Sequence, residues 1–272
     1  MLLPRILTAA VGIPLFIYLI KLGSVPYLSL IIGLSVIALH EYATILWVGG
    51  RGIQRSLTVI GGAAVALAVA LDGTRQLEVL GLGLTHIAVT GVVVIALLSE
   101  VLRREHSLDR AALSVFGTVL IGWTLAHLVL IRDLSPNGEA LTFLLFVAVW
   151  VTDSFAYFAG RALGRTKLAK VISPKKTWEG AAGGLLGAVA TVWLARRFFM
   201  PDILSPFMAV GLGLLIGTLG QVSDLSQSLI KRAAGAKDSS HLLPGHGGVF
   251  DRMDSFLLLA PVFYYVLLAA GL

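Results

Sequence analysis

Nine apolar runs follow one another along the chain, at residues 6–22, 26–48, 56–71, 77–98, 111–130, 140–160, 178–195, 206–230 and 255–272, each bounded by glycine, proline or charge. Crossing about 30 Å of hydrocarbon takes roughly 20 helical residues. Most of these runs match that length, and little chain is left between them. In lipid every backbone N–H and C=O needs an internal partner, so only helices or a closed barrel can span. Barrel strands alternate apolar and polar residues over about ten positions; these runs do not alternate, and the 30 glycines suit close-packed helices. The expectation is an all-α integral membrane protein, a polytopic bundle of about nine transmembrane helices forming one domain over 1–272. Within it, 1–140 is mainly scaffold, 141–254 holds the polar chemistry and 255–272 is the last span. A lone Arg5 precedes the first run, with no small-residue cleavage site before a polar mature domain, so that run reads as a span and not as a removed signal.

Basic residues orient the bundle. With the N-terminus cytoplasmic, 16 of the 21 Lys and Arg fall on inside segments, as the positive-inside rule requires. Ten of those 16 lie in two loops, after the sixth and eighth runs, which is more than topology needs. The formal net charge of +6 is thereby focused on one cytoplasmic surface, suited to anionic lipid headgroups or a polyphosphate. Nucleic acid is not an expected partner. The chain has no cysteine, which excludes disulfides, thiolate metal sites and cysteine nucleophiles. Any metal would sit on oxygen or imidazole ligands, and a hard cation such as Mg²⁺ is favoured.

Acidic residues inside apolar helices cost roughly 2.5 to 3.5 kcal/mol at mid-span. Asp153, in the sixth run, and Asp224, in the eighth, therefore ask for a reason. Asp224, Ser228 and Lys231 share one helical face at i, i+4 and i+7. A helix-packing hydrogen bond or snorkelling at the interface stays open for both acids. The segment Ser173-Pro174-Lys175-Lys176-Thr177-Trp178-Glu179-Gly180 reads as a tight connection into the seventh helix, with Thr177 as N-cap and Glu179 in the first turn. Two lysines ahead of a helix N-terminus suit a phosphate, although Lys pairs are also common at cytoplasmic interfaces.

The richest stretch runs from Ser228 to Asp254. Pro244, Gly245, Gly247 and Gly248 surround His246, giving a backbone able to take positive φ and approach a ligand. Asp251 and Asp254 stand at i, i+3 and would face one side if the ninth helix begins there. Paired carboxylates beside Lys and Arg are what a Mg²⁺-nucleotide site requires. His40-Glu41-Tyr42, near the end of the second run, either reaches this site in support or marks the interface.

The stretch resembles the signature of the phosphatidate cytidylyltransferases, the CDP-diacylglycerol synthases. Ser228, Lys231-Arg232, Lys237-Asp238, Ser240, Leu243-Pro244, His246-Gly247-Gly248, Asp251-Arg252 and Asp254 stand at the family's spacing. Thr152-Asp153-Ser154-Phe155-Ala156-Tyr157 and the segment from Ser173 to Gly180 also resemble family segments. The likeness covers the C-terminal half; residues 1–140 share only a run of hydrophobic spans.

The resemblance implies that CTP and phosphatidic acid condense to CDP-diacylglycerol and pyrophosphate, by in-line attack of the lipid phosphate on the α-phosphorus. It would place the enzyme as a multi-pass protein of the bacterial cytoplasmic (inner) membrane, with the site facing the cytoplasm, and suggests a homodimer. Asp224, Asp251, Lys231, Arg252 and His246 would be catalytic. Lys175, Lys176, Ser228, Arg232, Lys237, Asp238, Gly247, Gly248 and Asp153 would bind substrate. Asp224, Asp251 and Asp254 would serve Mg²⁺, and whether a second, monovalent cation such as K⁺ joins it is open. The runner-up is a CTP-dependent lipid kinase of the polyprenol or phytol type. A different class is an ion-coupled transporter with Asp153 and Asp224 on its path.

Overall fold

The computed structural model of the chain describes residues 3–75, 78–79, 82–240, 242 and 247–272. The apolar runs correspond to helices, except that the described start of run 77–98 is strand and its helix begins at Leu84: α1 Leu3–Leu22, α2 Ser24–Val48, α3 Arg55–Arg75, α4 Leu84–Val101, α5 Leu108–Gly117, α6 Thr124–Asp133, α7 Gly138–Leu163, α8 Trp178–Phe198, α9 Pro206–Ala233 and α10 Phe256–Ala269. A π-helical turn, Thr118–Trp123, joins α5 to α6, so Leu108–Asp133 is one continuous 26-residue rod. Among the described residues, six helices are long and apolar enough to cross a membrane: Ser24–Val48, Arg55–Gly73, Leu84–Val101, Leu108–Asp133, Gly138–Leu163 and Pro206–Ala233. This is a multi-pass membrane protein. Gly12–Leu22 and Phe256–Ala269 are shorter apolar helices.

Among the described residues two short antiparallel strand pairs interrupt the helices: β1 Glu78–Val79 with β2 Leu82–Gly83, and β3 Lys167–Ala169 with β4 Ser173–Thr177. The second was expected to be only a tight connection. Instead Lys167 pairs with Thr177 and Ala169 with Ser173, so the lysine pair is carried on a strand.

Packing divides the chain into two compact units, Met1–Asp133 with Ile230–Met253, and Leu134–Leu229 with Asp254–Leu272. In the first, α3 packs against α2, α4, α6 and the π turn. Its core holds Ile31, Leu39, Tyr42, Ile121, Leu125, Leu128 and Ile131, each at most 1% exposed. Where the π turn meets α3, a Cβ on Gly122 would collide with the Gly62 carbonyl, so glycine sets that close approach.

In the second unit α7 and α8 form the main helix pair. Gly180, Gly183, Gly184 and Gly187 recur along the α8 face that α7 covers; a Cβ on Gly184 would lie 3.0 Å from the Thr152 carbonyl oxygen. Small residues let backbones approach where lipid offers no hydrophobic drive for helix association. Phe146 of α7 packs on Phe256 of α10 with ring centroids 4.5 Å apart. Ser223 of α9 donates its hydroxyl to the Asp254 carbonyl and accepts from the Leu258 amide at 3.1 Å, tying α9 to the start of α10.

Candidate functional site

The polar residues singled out in the sequence gather in two places, one in each unit. In the Leu134–Leu229 unit, Thr177 is buried and its hydroxyl accepts from the Gly180 amide at 3.1 Å, the expected N-cap of α8. The Thr166 amide donates to the Glu179 carboxylate at 3.1 Å, and the Trp178 amide to the Thr166 carbonyl at 3.0 Å. These bonds hold β4 against the first turn of α8 and so fix where Lys175 and Lys176 emerge. They emerge on a cavity of about 380 Å³. Asp153, Tyr157 and Arg161 of α7, Lys175 and Lys176 of β4, Gly180 of α8, and Gln221 and Asp224 of α9 line it.

Lys176 Nζ stands 2.5 Å from Asp224 Oδ2, with about a quarter of each side chain exposed. The Ser228 hydroxyl donates to Asp224 Oδ1 at 3.4 Å. Asp153 and Lys175 are exposed, and Arg161 donates to the Tyr157 hydroxyl at 3.2 Å. Three cations and two carboxylates thus share one hollow beside a helix N-terminus. The excess positive charge and the positive end of the helix dipole suit a phosphate, and the carboxylates suit the cation a polyphosphate brings.

The second place lies in the other unit, where α9 ends. Lys231 Nζ contacts Asp251 Oδ1 at 2.6 Å, and the side chains are only 11% and 7% exposed. Asp251 Oδ2 accepts from the Ser239 amide at 2.9 Å, the Ser239 hydroxyl at 2.8 Å and the Gly248 amide at 3.1 Å. Burial alone would raise this carboxyl. The Lys231 hydrogen bond and charge, with the Ser239 and Gly248 amides, outweigh it and hold the group at about 2. Gly247 takes φ +79°, the left-handed conformation its place in the signature anticipates. Arg232 and Asp238 border a neighbouring groove with Arg51, while Lys237 and Arg252 are exposed. His246 lies outside the described residues, as do Leu243 and Pro244.

One expectation changes. Asp251 and Asp254 do not share a face of the ninth helix, because Phe250–Arg252 is a 3₁₀ turn and α10 begins only at Phe256. Asp254 instead accepts from the Ser255 amide at 2.7 Å. Asp251, a metal-ligand candidate from the sequence, has its Oδ2 within hydrogen-bond reach of the Ser239 amide and hydroxyl and the Gly248 amide, while its Oδ1 faces the Lys231 ammonium. It stands as an ion-paired carboxylate. Among the described residues no group of three or more His, Asp or Glu is placed to hold a metal.

The sequence undervalued Glu41. It is 4% exposed near the end of α2, and its oxygens accept from Ser239, Ser240, Val249 and Phe250. The signal was present, since a glutamate inside a 23-residue apolar run requires partners; spacing alone does not say which.

The family model described as "Cytidylyltransferase family" matches residues 3–270. The chain is 32% identical over 266 residues, 97% of its length and 96% of the relative's, to a protein of Bacillus subtilis strain 168 named phosphatidate cytidylyltransferase. It is 37% identical over 243 residues, 80% of its length and 85% of the relative's, to one so named from Brucella abortus biovar 1. A Haemophilus influenzae protein of that name is 41% identical over 132 residues, 47% of this chain and 46% of the relative. The match runs from α1 to α10 and takes in both polar clusters, and the chain belongs to the cytidylyltransferase family.

Proposed function

We propose that the chain is a phosphatidate cytidylyltransferase. The reaction joins CTP and phosphatidic acid. A phosphate oxygen of the lipid attacks the α-phosphorus of CTP, the new P–O–P link forms, the bond from the α-phosphorus to the bridging oxygen breaks, and pyrophosphate leaves with that oxygen. The observation that carries this reading is the cavity in which Lys175, Lys176 and Arg161 face Asp153 and Asp224, set among helices of membrane-spanning length.

Lys176 holds the Asp224 carboxylate in place until phosphate arrives, and Lys175 and Arg161 add charge for it. Asp153 and Asp224 fit Mg²⁺, which usually takes one or two carboxylates and completes its shell with phosphate oxygens and water. When bound, the ion would neutralise charge that develops during transfer. Lys231, held by Asp251, with Arg232 and Lys237 nearby in sequence, would serve the triphosphate. The lipid nucleophile is ionised at neutral pH and needs no strong base.

The positive-inside asymmetry supports nine spans, a cytoplasmic N-terminus and a site facing the cytoplasm of a bacterial inner membrane. A homodimer, and a monovalent cation beside Mg²⁺, belong to the same reading.

The test supplies purified protein with Mg²⁺, phosphatidic acid and CTP labelled in its α-phosphate. Label should enter the lipid as CDP-diacylglycerol. No labelled lipid from the wild type overturns the reading; label left in CDP assigns a lipid kinase. Substrate flux in proteoliposomes without CTP turnover assigns a transporter.

A further inference from the structure

Glu41 belongs to α2, about 200 residues from the signature loop, yet its carboxylate holds both arms of that loop. On the incoming arm the Ser240 hydroxyl donates to Oε1 at 2.6 Å, and the Ser239 hydroxyl lies 3.0 Å from Oε2. On the outgoing arm the Val249 amide donates to Oε1 at 3.1 Å and the Phe250 amide to Oε2 at 2.7 Å. One side chain therefore joins Ser239 and Ser240 to Val249 and Phe250.

Ser239 extends this hold. Its hydroxyl also lies 2.8 Å from Asp251 Oδ2, and a hydroxyl has one proton, so it serves one of the two carboxylates at a time. Glu41, Ser239, Asp251 and Lys231 stand at successive hydrogen-bond distances in a series that ends on the ammonium. Packing keeps Glu41 in register: neighbouring Tyr42 donates its hydroxyl to the Leu113 carbonyl at 2.9 Å and meets the Phe250 ring edge-on at 6.1 Å. A Cβ on Gly248 would collide with Glu41 and Ser239, so the loop is shaped around this carboxylate.

The geometry points to Glu41 as a positioning residue of the reaction: it fixes the Ser239–Ser240 and Val249–Phe250 segments that hold Asp251 against the Lys231 ammonium of α9, and with that ammonium the triphosphate, without touching substrate itself. This rests on the cytidylyltransferase reading. Glutamine at position 41 would turn an NH₂ group towards backbone amides, losing acceptors at the same volume. Aspartate keeps the charge one methylene short.

The test uses the full chain in detergent micelles. Glu41→Gln should raise KM for CTP at least fivefold, leave KM for phosphatidic acid unchanged and speed amide exchange over 239–250 at least tenfold; Glu41→Asp should fall between it and wild type. Ser240→Ala, which introduces no new donor, should speed exchange of the same segment two- to threefold, and this keeps the inference testable if Glu41→Gln does not fold. Unchanged exchange, or a rate that falls only with the amount of folded protein at constant KM for CTP, overturns it. If the wild type makes no CDP-diacylglycerol, the cytidylyltransferase reading fails, and exchange alone then decides whether Glu41 holds the loop.

Discussion

Lys176 Nζ stands 2.5 Å from Asp224 Oδ2 across the cavity between β4 and α9. Both side chains are about a quarter exposed, and ion pairs in contact with solvent contribute roughly 0 to 1 kcal/mol to stability. Its contribution to the stability of the fold is therefore slight. Asp224→Asn should lower the rate of CDP-diacylglycerol formation about 100-fold, in the range for losing one preorganised charged group, with thermal unfolding shifted only slightly. Steady-state kinetics beside an unfolding scan checks this; full activity would remove Asp224 from the site.

The Lys231–Asp251 pair is buried, and the expectation reverses. Removing one partner leaves an uncompensated charge and costs about 3 to 5 kcal/mol, whereas replacing both by apolar groups of similar size is often close to neutral. Lys231→Met and Asp251→Leu should each destabilise strongly, and the double variant less than either. Every one of the three should be inactive. A double-mutant cycle on unfolding separates the two effects.

How far the sequence discloses this architecture depends on the range of the interactions. Apolar runs mark helices because lipid demands about 20 apolar residues in succession, so each expected run carries a helix, although run 77–98 opens on the strands β1 and β2 before α4 begins at Leu84. The Thr177 cap was legible because capping reaches only three residues. β3 and β4 were not, because three- and five-residue strands in a lysine-rich connection have no periodicity to read. The partner of Asp224 could not be read either: Lys176 lies 48 positions away on another element, and neither residue's neighbours encode the meeting. Asp251 and Asp254 were assigned to one helical face from their spacing, but the chain turns as a 3₁₀ segment before α10 begins.

Acid should loosen the signature loop. Asp251 is depressed from an ordinary 3.8 to about 2, so the stability it contributes is present above the unfolded value near 4 and is lost as pH falls towards 2. The shift corresponds to about 2 kcal/mol. Wild type should lose this increment between about pH 4 and pH 2, and Asp251→Asn should show no such loss in that window. Between pH 6 and 9 the carboxylate stays ionised and contributes no limb to the activity profile. Unfolding midpoints against pH, wild type beside variant, check the sign.

Gly248 and Gly50 separate collision from backbone strain. A Cβ at Gly50 meets nothing within 4 Å, but its φ is +74°, so alanine there is penalised by conformation alone, about 1 kcal/mol. Gly248 has no positive φ, yet a Cβ there would strike the Ser239 hydroxyl, which is engaged by carboxylate acceptors, and the Glu41 carboxylate, which is fixed by other donors. Neither can withdraw without leaving buried acceptors and amides unpaired, at roughly 1 to 3 kcal/mol each. Gly248→Ala should therefore destabilise the loop more than Gly50→Ala and abolish turnover, while Gly50→Ala remains active. Turnover and amide exchange over 239–250, measured on both variants, decide it. Equal effects would mean that the close approach of Gly248 to Glu41 does not constrain the loop.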